Sequence, residues 1–238
     1  MTNISTSTVR FQAGNREATG YQAVPPGGPH PGVIVIQEWW GLNDHIKDIA
    51  RRAAAEGFVA LAPDLYDGRV TTDPQVAQGM LQSLDRKAAL QTLTGAVHAL
   101  KNHAAVASGQ IGAMGFCMGG FYTLLLASTD RDVRAAAPFY GHIPPDETLA
   151  GLTAPVLYVY AGKDQYIPSD EVGRLDDFLK RTGNAGAVLR YPDADHAFVN
   201  DTRKEVYKAD DANDAWGRAI AFLKRHVTRA AAPQSGPA

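Results

Sequence analysis

Three residues able to form and break acyl bonds occur in an ordered series along the chain: Cys117, Asp164 and His196. Cys117 is the only cysteine, and with Gly115 and Gly119 it reproduces a G-x-S-x-G nucleophile elbow in which sulfur replaces the serine oxygen. A lone cysteine cannot close an internal disulfide, so its thiol is free. It lies between the apolar run "IGAM" and the stretch "MGGFYTLLLAS", the strand-to-helix context that the elbow requires. Side chains larger than hydrogen at positions 115 and 119 are expected to clash in so tight a turn, and the positive end of the following helix favours thiolate over thiol.

Such a nucleophile needs a base, and the base needs an orienting carboxylate. Asp164 in "YVYAGKDQYIP" and His196 in "RYPDADHAF" each follow a predicted strand and supply both groups in order. Each residue also has a plainer reading. Most free cysteines are small core residues, "GKD" is ordinary turn chemistry, and His196 suits a surface loop. Asp193 and Asp195 compete with Asp164 as the orienting acid, although their closeness to His196 in sequence marks them as loop formers. His30, His45, His98, His103, His142 and His226 belong to no such ordered set. His98 and His103 lack the i, i+4 spacing of a ligand pair, so no metal is predicted.

The elements that must carry these residues alternate. "TVRFQ" and "ATGYQAV" flank the turn "AGNRE" as an antiparallel edge hairpin. The run "VIVI" reads as a strand buried on both faces, and "DHIKDIARRAAAEG" as a helix with Asp44 as N-cap and Gly57 as its stop. "FVALAP" is a strand. "QVAQGMLQSL" and "RKAALQTLTGAVHALKNH" carry helical periodicity. "QIGAMGF", "VRAAAPFYG", "PVLYVYAG" and "AVLRYP" supply further strands, with "SDEVGRLDDFLKRTG" and "EVYKADDANDAWGRAIAFLKRHV" as helices. This alternation implies a mostly parallel central sheet with an N-terminal antiparallel hairpin and helices on both faces. One domain over residues 1–228 is expected, with 229–238 a disordered tail of small and polar residues.

The 23 basic and 25 acidic residues form no long run of either sign, which argues against a nucleic-acid or membrane-surface partner. The N-terminal stretch "MTNISTSTVRFQ" has no basic segment followed by an apolar one, and no stretch is apolar enough to span a bilayer. The chain is therefore expected to be cytoplasmic and monomeric, with a small molecule as its partner.

Four blocks, "VIVIQEWWGLNDHIKDIARRAAAEGFVALAPDLY", "IGAMGFCMGG", "YAGKDQYIP" and "DADHAF", resemble the dienelactone hydrolase family of α/β-hydrolases, from about Gly32 to the last helix. The resemblance implies an α/β-hydrolase fold and a Cys117, Asp164, His196 triad that acts on an activated ester or lactone without a cofactor. It implies that the backbone amides of Met118 and Trp39 form an oxyanion hole. It also implies a role for Glu38 as a gate that holds the resting thiol and moves when substrate arrives. The family's carboxylate-pairing arginines are missing here: Asp73 to Asp85 contains none, and Asn200 stands four residues after His196. Arg69, Arg86 and Arg203 read as solvated surface charges. Trp40, Phe121, Tyr140 and Phe198, beside Trp39, are the candidates for an aromatic pocket suited to neutral esters, although such residues equally suit a core. A non-catalytic binder or thiol redox sensor is the rival reading, which the presence of both Asp164 and His196 disfavours. A peptidase or acyltransferase on the same scaffold is a third.

Overall fold

The computed structural model describes residues 3–228. The predicted disordered tail lies outside the described residues. In chain order the elements are β1 (Ser5–Ala13), β2 (Arg16–Val24), β3 (His30–Ile36), α1 (Asp44–Ala55), β4 (Val59–Pro63), α2 (Pro74–Ser83), α3 (Arg86–Lys101) and β5 (Val106–Phe116). They continue with α4 (Met118–Thr129), β6 (Val133–Phe139), α5 (Asp146–Leu149), β7 (Leu157–Ala161), α6 (Ser169–Arg181), β8 (Ala187–Tyr191) and α7 (Ala209–Val227).

The strands form one eight-stranded sheet in the order β1-β2-β4-β3-β5-β6-β7-β8. Both pairings of β2, with β1 and with β4, are antiparallel, and the remaining pairs are parallel. The hairpin turns at Gly14, whose φ of +61° lies in the region that favours glycine. From β3 the chain runs to one side through β4 and returns to the other side with β5. In an open α/β sheet this reversal leaves a crevice at the carboxyl ends of the strands, where ligands bind.

The run "VIVI" shows how one strand serves two cores. Ile34 and Ile36 point into the cluster under α2, α3, α4 and α6, whereas Val33 and Val35 point into the cluster under α1 and α7. Successive side chains of a strand face opposite sides, so a strand covered on both faces is apolar at every position. Burial of Ile34 and Ile36 contributes on the order of 2 kcal/mol each.

Two local readings are corrected. The N-cap of α1 is Asn43, whose extended backbone lets its side chain accept from the Ile46 N–H, while Asp44 is the first helical residue and places its charge at the positive helix end. The four-residue α5 has no counterpart in the sequence reading, because four residues carry too little periodicity to be recognised. Gly57 ends α1 as expected, with φ +92°.

Candidate active site

Cys117 sits between β5 and α4 with φ 55° and ψ −117°, a left-handed conformation that costs a non-glycine residue on the order of 1–3 kcal/mol. The surroundings hold it there. Its N–H donates to Phe139 O at 3.0 Å, and its carbonyl accepts from Gly120 N at 2.9 Å. The glycines behave as the motif demands: a Cβ at Gly115 would stand 2.3 Å from Gly119 O, and one at Gly119 would stand 2.3 Å from Ile36 O. The end of β3 therefore packs directly on the elbow.

Asp164 follows β7, and its side chain is fully buried. One carboxylate oxygen accepts from the Tyr166 and Ile167 backbone N–H groups at 2.9 and 3.1 Å, and the other faces His196 Nδ1 at 2.8 Å. Asp164 thus forms its turn with one oxygen and faces the imidazole with the other. Asp193 instead pairs with Lys163 at 3.1 Å on the surface. With Nδ1 engaged by Asp164, Nε2 is the ring nitrogen left for another partner. Burial disfavours the imidazolium. The hydrogen bond to Asp164 and the bond to and charge of Cys117 outweigh it, and His196 is pushed up to about 10.

Glu38, two residues beyond β3, is 1% exposed. Burial pushes its carboxyl up, against the opposing influence of His196, the Asn200 side chain and Arg203. Its Oε2 accepts from Asn200 Nδ2 at 2.9 Å, so it is turned to that amide in this structure.

The proposed aromatic pocket divides in two. Trp40 and Phe121 are partly exposed; the Trp40 ring meets Trp39 edge-on at 4.8 Å, and Arg86 lies over Phe121 at 5.2 Å. Tyr140 and Phe198 are fully buried, which corrects their reading as pocket walls. Their rings pack 5.8 Å apart beneath the site, and Tyr140 supports His196 at 5.1 Å. They were misread because apolar rings near a motif look alike in sequence whether they face a ligand or the core. Tyr166, which sequence reasoning missed, flanks His196 from the solvent side at 5.0 Å. Tyr66 was missed too; its hydroxyl donates to Met118 Sδ at 3.2 Å. The only signal for Asn200 was its place four residues beyond His196. Arg203 pairs with Glu205 at 2.8 Å. Among the described residues, neither the Met118 nor the Trp39 amide donates to a protein acceptor. Nor is any helix among them long and apolar enough to cross a membrane.

A parallel sheet with a strained elbow after its fifth strand, and an acid and a histidine presented at neighbouring strand ends, defines an α/β-hydrolase fold. The sequence matches the model of the dienelactone hydrolase family over residues 18–227. The chain belongs to that family of hydrolases. Protein usf of Aquifex pyrophilus is 34% identical over 231 residues, which span 92% of this chain and 98% of that protein. A candidate carboxymethylenebutenolidase of Methylorubrum extorquens is 35% identical over 222 residues, which span 87% of this chain and 76% of that protein. Among solved structures, a dienelactone hydrolase-like promiscuous phosphotriesterase from metagenomic libraries superposes with a TM-score of 0.86 at 26% identity, covering 94% of this chain and 98% of that one.

Proposed function

We propose that the protein hydrolyses carboxylic esters or lactones, with Cys117 as nucleophile, His196 as acid and base, and Asp164 as the residue that orients the imidazole. The observation that carries this reading is the oriented imidazole: Asp164 bonds His196 Nδ1 at 2.8 Å, and Cys117, whose charge acts on that imidazole, stands at a strained elbow. The sulfur attacks the carbonyl carbon, a C–S bond forms, and negative charge develops on the carbonyl oxygen. The uncommitted amides of Met118 and Trp39 are the donors for that charge. Collapse breaks the bond to the leaving oxygen, which takes the His196 proton.

The thioacyl-enzyme no longer carries the sulfur charge that helped hold that proton. His196 then accepts a proton from water as the hydroxyl attacks the thioester; the C–S bond breaks, the acid leaves and the thiolate–imidazolium pair is restored. An ester or lactone suits this cycle better than an amide, whose leaving nitrogen needs more help from the acid.

Hydrolysis of short aryl esters and lactones by wild type, Cys117→Ala and His196→Ala tests the reading. Each substitution is expected to lower turnover by at least about a hundredfold. Wild-type activity in either variant would remove that residue from the mechanism. Equal, negligible activity of all three proteins on every substrate would overturn the ester-hydrolase reading itself.

A further inference from the structure

The loop after β4 is fastened to the loop after β3 on either side of Trp39. Leu65 N donates to the Gln37 side-chain oxygen at 3.3 Å, and Thr71 N donates to Trp40 O at 3.1 Å. A Cβ at Gly41 would stand 2.3 Å from Arg69 O, so the two backbones also pack directly. The loop turns on Asp64, whose carboxylate accepts from Tyr66 N at 2.9 Å and from Gly68 N at 2.6 Å. Tyr66 is thereby held beside the segment that carries the Trp39 amide.

Its side chain reaches the residue that carries the other amide. Tyr66 is 7% exposed, and its hydroxyl donates to Met118 Sδ at 3.2 Å. Met118 is the first residue of α4, directly after Cys117. A methionine sulfur lies within about 5 Å of its own backbone N, so the hydroxyl is brought to the neighbourhood of the Met118 N–H. Among the described residues the sulfur is its only acceptor, and a thioether accepts weakly. Burial, then the Tyr122 and Cys117 side chains, raise the hydroxyl above the ordinary phenol range against the influence of Arg69, so it keeps its proton at neutral pH.

We propose that the Tyr66 hydroxyl is a third oxyanion donor, which leaves Met118 Sδ for the carbonyl oxygen of the ester as negative charge develops there. This deepens the proposed function and rests on it. The exchange favours the transition state, because a hydroxyl bonded to a thioether gives up little, whereas its bond to an anionic oxygen in a buried site is strong. A neutral ester carbonyl competes less well for the hydroxyl, so the gain falls on kcat rather than on KM. Met118 then serves twice, its amide as a fixed donor and its side chain as the resting place of a movable one.

Tyr66→Phe keeps the ring and removes the donor. It is expected to lower kcat for a short aryl ester by at least about tenfold and to leave KM within about threefold. An aryl trifluoromethyl ketone isolates the oxyanion: the Cys117 sulfur adds to its carbonyl carbon, a C–S bond forms, and the oxygen becomes anionic while His196 holds the thiol proton. Its affinity, read by protection of Cys117 from iodoacetamide, is expected to fall by at least about tenfold in Tyr66→Phe. This arm needs no turnover, so it stands if wild type hydrolyses none of the esters, the result that sinks the proposed function instead. Met118→Leu removes the thioether, and in that background Tyr66→Phe is expected to lower kcat by the same factor to within about twofold. Circular dichroism verifies each fold. An unchanged kcat or an unchanged ketone affinity in folded Tyr66→Phe would overturn the donor. So would an effect that vanishes in Met118→Leu, which would show that Tyr66 acts by packing the methionine.

Discussion

Two buried carboxylates stand at the carboxyl edge of the sheet, Asp164 after β7 and Glu38 after β3, and their partners differ in kind. Asp164 bonds an imidazole with one oxygen and two backbone N–H groups with the other. Glu38 accepts from the neutral amide of Asn200, and burial dominates its environment. Both are withdrawn from water, so burial does not distinguish their roles. The partner does: Asp164 faces a titratable imidazole, whereas Glu38 faces an amide that carries no charge.

The largest expected separation between them is in turnover. Asp164→Asn keeps the shape but presents an amide to Nδ1, and is expected to lower kcat for a short aryl ester by about a thousandfold or more, as loss of the correct imidazole tautomer does in triad enzymes. Glu38→Gln, with Asn200 still in place, is expected to stay within about threefold of wild type. Comparable losses in the two variants, each folded, would erase the contrast and return Glu38 to the catalytic cycle.

A smaller but more direct effect is expected on the His196 proton. Its imidazolium should persist through neutral pH and titrate near 10 by NMR. Asp164→Asn removes the largest influence that raises it, so the midpoint should fall by at least about one unit, whereas Glu38→Gln should move it by less than about half a unit. The sign carries over to stability. The folded value stands above the ordinary imidazole value of 6.5, so the contribution of this proton is complete below pH 6.5 and is lost as pH rises through about 10. A midpoint near 6.5 in wild type would refute the paired imidazolium.

The smallest effect concerns substrate charge. Asn200 supplies no cation beside Glu38, and a carboxylate carried into a poorly solvated site without a partner loses several kcal/mol of hydration before any compensation. For a matched aryl ester pair, the neutral member is expected to show a several-fold higher kcat/KM than its carboxylate-bearing analogue. A preference for the anion that weakens with salt would show that Arg69, Arg86 or Arg203 pairs it, and would sharpen the Glu38 side of the comparison into a charge-recognition site.

Much of this molecule is legible locally. The apolar run of β3, the periodicity of α1 and α6 and the glycine-flanked cysteine each state a short-range requirement, because strand alternation, helix period and turn sterics act within a few residues. The order Cys117, Asp164, His196 was readable for the same reason, each lying just beyond a recognisable strand. Tertiary structure supplied the contact between that acid and His196. Asp164, 32 residues away, bonds it at 2.8 Å, while the adjacent Asp193 turns to Lys163. It also moved Tyr140 and Phe198 from the expected pocket into the core, and brought Asn200 to Glu38 across 162 residues of chain. Those outcomes depend on strand order and register, which set contacts between residues distant in sequence and leave no periodicity to read.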